Sequence, residues 1–232
     1  EEVAENALRI AEKTYGLDHS RVATSLLNLV EMYRIQEKYN PIEPLIKRAM
    51  EIWGKALGSD HPKIAICLTN LAELYRVQGK FSEAEPLWKR ALTIREKALG
   101  LNHYDVAISL NNLATGYMSM GKLDETESLL QRALVIFQNT ISPEDPYIGT
   151  TLNNIATLYF TQGKYTQEHS LAPDAATHRK SLLYIQKKYS EAEALFKRAL
   201  AIHKKAFGPQ HPAVIVTLNS LEELYRARGK NN

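Results

Sequence analysis

The chain has 232 residues, a net charge of +3 and a hydrophobic fraction of 44%, the composition of an ordinary soluble protein. No apolar run approaches the roughly 18 residues of a membrane span. The charge is too small to argue for nucleic acid. A single cysteine, Cys67, excludes intrachain disulfides and argues against a structural zinc site; inside a predicted helix it reads as a buried, inert thiol.

The chain opens inside a helix, Val3 to Tyr15. Its start, Glu1-Glu2-Val3-Ala4-Glu5-Asn6, is acidic and lacks the basic residues and apolar stretch of a secretory signal, which points to a cytoplasmic protein. One phrase then recurs every 42 residues: Leu68-Thr69-Asn70-Leu71-Ala72, Leu110-Asn111-Asn112-Leu113-Ala114 and Leu152-Asn153-Asn154-Ile155-Ala156. A fixed period of this length marks a solenoid, in which each unit buries its apolar face against its neighbours. Within one unit Leu68, Leu71, Ala72 and Tyr75 fall at i, i+3, i+4 and i+7, a helical stripe. Beyond Gly79, the residues Phe81, Ala84, Leu87, Trp88, Ala91 and Leu92 give a second stripe of the same period. Gly79 suits the turn between two helices, and Gly100 the end of the second.

First helices are therefore predicted near 20–36, 62–78, 104–120, 146–162 and 212–228, and second helices near 40–56, 82–98, 124–140 and 190–206. The repeats divide into a partial unit 1–18, units near 19–60, 61–102, 103–144 and 145–210, and a final half unit 211–232. Register breaks once, at 166–189, which reads as an insertion or a decayed repeat. There Pro173 stops a nascent helix and Ala175 to Tyr184 suit a short one. At the far end, Arg228-Gly229-Lys230 falls where another second helix would begin, so Leu221, Leu224 and Tyr225 are expected to lack an intrachain partner.

The small and large residues of Leu68-x-x-Leu71-Ala72-x-x-Tyr75, Ala84-x-x-x-Trp88 and Ala91 fit the tetratricopeptide pattern; HEAT-type repeats share the length but not this placement. With Gly58-Ser59-Asp60-His61-Pro62 and Gly79-Lys80-Phe81-Ser82-Glu83-Ala84, the chain resembles the longer repeats of the kinesin light chain class. That resemblance implies an all-α fold, a right-handed α-solenoid of antiparallel helix pairs (a TPR superhelix), with the first helices lining a concave groove. The coiled-coil heptads through which kinesin light chains meet heavy chains do not occur in these residues.

Little in the sequence suggests chemistry. His19, His61, His103 and His211 share one repeat position, but residues in successive repeats lie too far apart to share a metal ion held at about 2.0–2.1 Å, so the expected role is capping. Asp145 takes the same place in the fourth unit. No phosphate loop, nucleophile elbow or metalloprotease motif occurs, and neither a catalytic centre, a cofactor nor a metal is expected. Lys47-Arg48, Lys89-Arg90 and Lys197-Arg198 recur in register, either as an acid-binding stripe or as a solvated outer face.

The asparagines are the candidate site. Asn28, Asn70, Asn112 and Asn154 repeat every 42 residues, with Asn111, Asn153 and Asn219 beside them, and Ser220 takes the place in the last unit. A side-chain amide both donates and accepts, so a ladder of amides can hold a peptide backbone with little sequence demand. By resemblance, kinesin light chains use such asparagines for cargo peptides, including ones with tryptophan flanked by acidic residues. The alternative is that the amides bond between neighbouring helices. Arg34, Arg76 and Arg226 border the expected groove, to select acidic ligands or simply as exposed surface charge. The expected function is a non-catalytic scaffold or adaptor for a protein or peptide partner, without nucleic acid or membrane. The alternatives are a solenoid that self-associates through its ends or the 166–189 segment, and the regulatory arm of a larger protein.

Overall fold

The computed structural model describes residues 1–169 and 174–229; Pro173 and Lys230 lie outside the described residues. Among the described residues the secondary structure is helical: α1 (Glu2–Tyr15), α2 (Ser20–Ile35), α3 (Ile42–Leu57), α4 (Pro62–Val77), α5 (Phe81–Leu99), α6 (Tyr104–Ser119), α7 (Leu123–Thr140), α8 (Pro146–His169), α9 (Ala175–Phe207) and α10 (Pro212–Gly229). They fall into two compact units, Glu1–Gly116 and Tyr117–Asn232. In the first, α1 packs on α2, α2 on α3, α3 on α4 and α4 on α5; in the second, α7 packs on α8, α8 on α9, and α9 on α10. Short turns make successive helices antiparallel, so each unit is an α-solenoid of helix pairs.

Local chemistry sets the boundaries. The Nδ1 atoms of His19, His61, His103 and His211 accept from the backbone amides of Arg21, Lys63, Asp105 and Ala213 at 3.1–3.2 Å, each capping a first helix. The Asp145 carboxylate accepts from the Tyr147 amide at 2.9 Å in the same manner. Such a cap satisfies one of the helix's orphan donors. His61→Ala is therefore expected to cost about 1 kcal/mol, and His61→Asp, the residue used in the fourth unit, to retain most of it. Thermal unfolding of the two variants checks this.

The second helices α1, α3, α5 and α9 end at Gly16, Gly58, Gly100 and Gly208, all with φ between +83° and +89°. In the turn from α2 to α3 Glu37 takes φ +56°, where Gly79 takes +72° in the next repeat. A side chain pays for that left-handed conformation; glycine does not.

Apolar stripes meet between the helices. In the first unit Leu26, Ile46, Ala49, Trp53, Ala65 and Leu68 form one core, and Cys67 is fully buried within it. Burial pushes the Cys67 thiol up to about 12, so it stays protonated at neutral pH and inert, as its helical setting suggested. In the second unit Ala156, Ile185, Tyr189, Phe196, Leu221 and Leu224 cluster. Leu221 and Leu224, expected to lack a partner, are thus buried, whereas Tyr225 is 45% exposed and, with Ile215, Val216 and Leu218, carries the exposed apolar surface of α10. The reason is register: Leu221 and Leu224 face α8 and α9, while Leu218 faces the side on which no described helix packs.

At the register break, 166–189, the described residues other than Asp174 are helical. α8 runs on through Gly163 to His169, and Ala175–Tyr184 is the opening of the 33-residue α9 rather than a short helix. Asp174 starts α9 by accepting from the Thr177 amide at 2.8 Å. Gly163 stays helical because Tyr189 packs on it; a Cβ at that glycine would lie 2.6 Å from the Tyr189 ring. The Tyr189 hydroxyl donates to Gln167 Oε1 at 2.8 Å, tying α9 to the added length of α8.

A repeated polar tie also joins consecutive helices. Tyr33, Tyr75, Tyr159 and Tyr225 donate their hydroxyls to Glu5, Glu43, Glu127 and Glu193 at 3.0–3.1 Å. The apolar pattern counted Tyr75 only as part of a stripe. Lys47 and Lys197 hold the Glu43 and Glu193 carboxyls below the usual carboxylate range, the tyrosine bonds adding to the effect. The recurrent lysines accordingly sit in one-turn ion pairs, Lys47–Glu43, Lys89–Glu85 and Lys197–Glu193 at 2.6–2.7 Å, on an exposed face. The solvated reading of that basic stripe describes this arrangement.

Candidate functional site

In the first unit the first helices α2, α4 and α6 present a shallow groove. Glu31 and Arg34 of α2, Thr69, Asn70 and Glu73 of α4, Asn112 and Thr115 of α6, and Trp88 of α5 line a depression of about 310 Å³. A second hollow of about 260 Å³ adjoins it and shares Arg34, Asn70 and Glu73; Ile35, Tyr39, Arg76 and Val77 extend it toward the helix ends. The fold thereby brings together Asn70, Asn112, Arg34 and Arg76. Among the described residues no hydrogen bond engages the Asn70 or Asn112 side chain, although both are half-buried, so each amide keeps its donors and acceptor for another molecule.

The other asparagines are placed differently. Asn28 is exposed and lines neither hollow. Asn111 is 6% exposed, and both it and Asn154 have interaction partners of their own. Asn153 Oδ1 accepts from the Thr217 hydroxyl at 3.0 Å, bonding α8 to α10. Asn219 is exposed on α10. Arg226 lies in the second unit beside Phe160, Lys164, Gln167, Glu168 and Glu223.

Each candidate arginine is already paired. Arg34 makes two bonds to Glu31, at 2.9 and 2.6 Å, and Arg76 repeats that fork with Glu73 at the same distances. These glutamates raise both guanidinium pKa values. Arg226 pairs with Glu222 at 2.6 Å. The groove therefore carries its charge as closed pairs beside open amides, which suits a peptide backbone better than an anion.

Two groove features escaped the sequence pattern. Trp88 is 2% exposed, and its buried indole N–H has no partner. The ring fits because Gly116 stands opposite: a Cβ there would lie 2.3 Å from Trp88 Cζ3. The available signal was Gly116 itself, a helical glycine where the other repeats carry Met32, Leu74, Leu158 and Leu224. Glu31 and Glu73 are the second omission, legible only as i,i+3 partners of the arginines.

Helix pairs stacked at a fixed repeat, capped alike and opening a groove on their first helices, define a repeat-built solenoid. The tetratricopeptide repeat profile matches residues 27–97, 68–117, 105–181 and 171–232, and the chain belongs to the tetratricopeptide repeat family. Among solved structures, it is similar to the nearly identical TPR-like repeats of a kinesin light chain candidate from Podosopora anserina. That likeness has 23% identity and a TM-score of 0.63, over 91% of this chain and 89% of the other. BtubC (BKLC) from P. vanneervenii is similar at 19% identity and a TM-score of 0.59, covering 97% of this chain and 88% of that one. These likenesses show a shared kinesin light chain-like fold. No curated protein matches the sequence. Among the described residues no cluster of three or more His, Cys, Asp or Glu could hold a metal ion, and no helix is long and apolar enough to cross a membrane.

Proposed function

We propose that the chain is a non-catalytic interaction scaffold of the adaptor kind that holds a peptide segment of a partner protein in the groove over α2, α4 and α6. The observation that carries this reading is the pair of partner-free amides, Asn70 and Asn112, on successive first helices of one depression. Both amides line one depression, so a single extended segment lying across α4 and α6 can meet each of them through its peptide groups. Ile35 and Val77, 65% and 45% exposed, supply an apolar end where one ligand side chain can settle. The likeness to kinesin light chain structures supports an adaptor role.

Selection of binders from a displayed random-peptide library is the test. Peptides that bind the wild-type chain are expected to lose at least about tenfold in affinity against Asn70→Ala/Asn112→Ala, roughly two lost hydrogen bonds. Equal affinity for the variant, with helicity intact, rejects the groove.

Self-association is a second reading, favoured by a specific observation. Ile10 of α1 is 63% exposed, whereas Ile52, Ile94, Ile136 and Ile202 at the same repeat position are 2–7% exposed. Leu218 of α10 is 42% exposed, against 0–1% for Leu26, Leu68, Leu110 and Leu152. A first-helix face and a second-helix face left open are complementary. Light scattering over a concentration range is expected to show the mass rising. A constant monomer mass removes this reading.

A further inference from the structure

We infer that the first turns of α9 form a docking surface for an acidic amphipathic helix of a partner protein, at a site apart from the amide groove. Between these turns and the end of α10 lies an open cleft of about 780 Å³. The residues that lengthen α9 raise one wall of it. Leu183, Ile185, Lys187, Tyr189, Tyr225 and Arg228 line the cleft, and among the described residues no carboxylate does.

Charge identifies the kind of partner. Residues 175–190 contain Arg179, Lys180, Lys187 and Lys188 and not one Asp or Glu. Cations in the opening turns of a helix oppose its macrodipole, so helix formation does not account for them. Asp174, the capping residue, is the local offset. Arg179 and Lys180 make no ion pair among the described residues; Lys187 stands 3.9 Å from Glu191, and Lys188 lies over the Tyr159 ring at 3.9 Å. Arg228 shares the Glu193 carboxylate with Lys197, at 2.6 Å each, so the cleft side of α10 adds to the positive charge rather than offsetting it.

Apolar surface sits among these cations. Leu182 and Leu183 are 39% and 57% exposed, while Tyr184 turns to a separate hollow beside Asp124 and Glu125. Along the cleft wall Leu183, Gln186, Lys187 and Ser190 fall at i, i+3, i+4 and i+7, the ridge a second helix packs against. A helix of three or four turns, with leucines toward Leu183 and glutamates toward Arg179, Lys180 and Lys187, matches both shape and sign.

The probe is a fluorescein-labelled peptide of about sixteen residues with leucine at i, i+3, i+4 and i+7 and glutamate elsewhere, beside a twin carrying lysine for glutamate. Fluorescence anisotropy with the whole chain is expected to show saturable binding of the acidic peptide and at least about tenfold weaker binding of the twin. Leu183→Asp/Lys187→Glu is expected to weaken the acidic peptide at least about tenfold with unchanged helical circular dichroism. Asn70→Ala/Asn112→Ala should leave it unaltered, which separates this surface from the amide groove. No saturable binding up to roughly millimolar peptide, equal binding of the twins, or undiminished binding by the α9 variant overturns the assignment. Cosedimentation with phosphatidylserine vesicles that the acidic peptide does not displace assigns the surface to anionic lipid and overturns it as well.

Discussion

Trp88→Leu and Gly116→Leu are each expected to destabilise the first unit, and the double variant to recover most of the loss. Trp88 is almost fully buried, and trimming it to leucine leaves a cavity costing roughly 2–4 kcal/mol, a little under the 3–5 of a tryptophan-to-alanine change. Leucine at Gly116 meets the indole at once, since even a Cβ would lie 2.3 Å from it. Overpacking of that kind costs about 1–3 kcal/mol or more, against the ~1 kcal/mol that loss of a helical glycine returns. The other repeats carry Ile46 with Leu74, Leu130 with Leu158 and Phe196 with Leu224 at these two places, so a leucine pair is a packing the fold already uses. Urea denaturation of the four proteins gives the coupling energy, expected at about 1–3 kcal/mol in favour of the pair. Simple additivity would show that tryptophan and glycine do not compensate one another. Because solenoids unfold repeat by repeat, amide exchange in α4 and α5 is the more local readout.

Gly163→Val is expected to be the most damaging single change in the second unit, by about 2–3 kcal/mol. Its cause differs from that of the equivalent change at Gly79. Gly79 holds φ +72° with open space around it, so a side chain there suffers backbone strain alone. Gly163 is helical, and its missing side chain makes room for the Tyr189 ring, which also lies tilted against Phe160 at 5.7 Å. Valine would push that ring out and break its bond to Gln167. Tyr189→Leu, the residue at Leu123 in the preceding repeat, should remove the clash and restore much of the stability of Gly163→Val. Circular dichroism melts of the single and double variants decide it: if Tyr189→Leu gives no rescue, the damage arises in the backbone.

Much of the candidate groove was legible as a spacing but not as a set of roles. Asn70, Asn112, Asn153 and Asn154 share the repeat's asparagine positions, yet Asn70 and Asn112 line an open depression while Asn153 accepts from Thr217 across two helices. The distinction depends on what stands opposite: Thr217 lies in α10, 64 residues from Asn153. Arg34 and Arg76 were likewise visible as cations, but their closed forks with Glu31 and Glu73 follow from side-chain rotamers within a helical turn.

The repeat stride, the helix starts at His19, His61, His103, Asp145 and His211, the glycine ends and the inert Cys67 were all readable from residue order. Each rests on interactions within a few residues or on a face repeated without change. The continuation of α8 through Gly163, the seating of Trp88 on Gly116, the burial of Leu221 and Leu224 and the split among the asparagines belong to the tertiary structure. In every one of these a local preference met a partner dozens of residues away, and close packing between helices outweighed it.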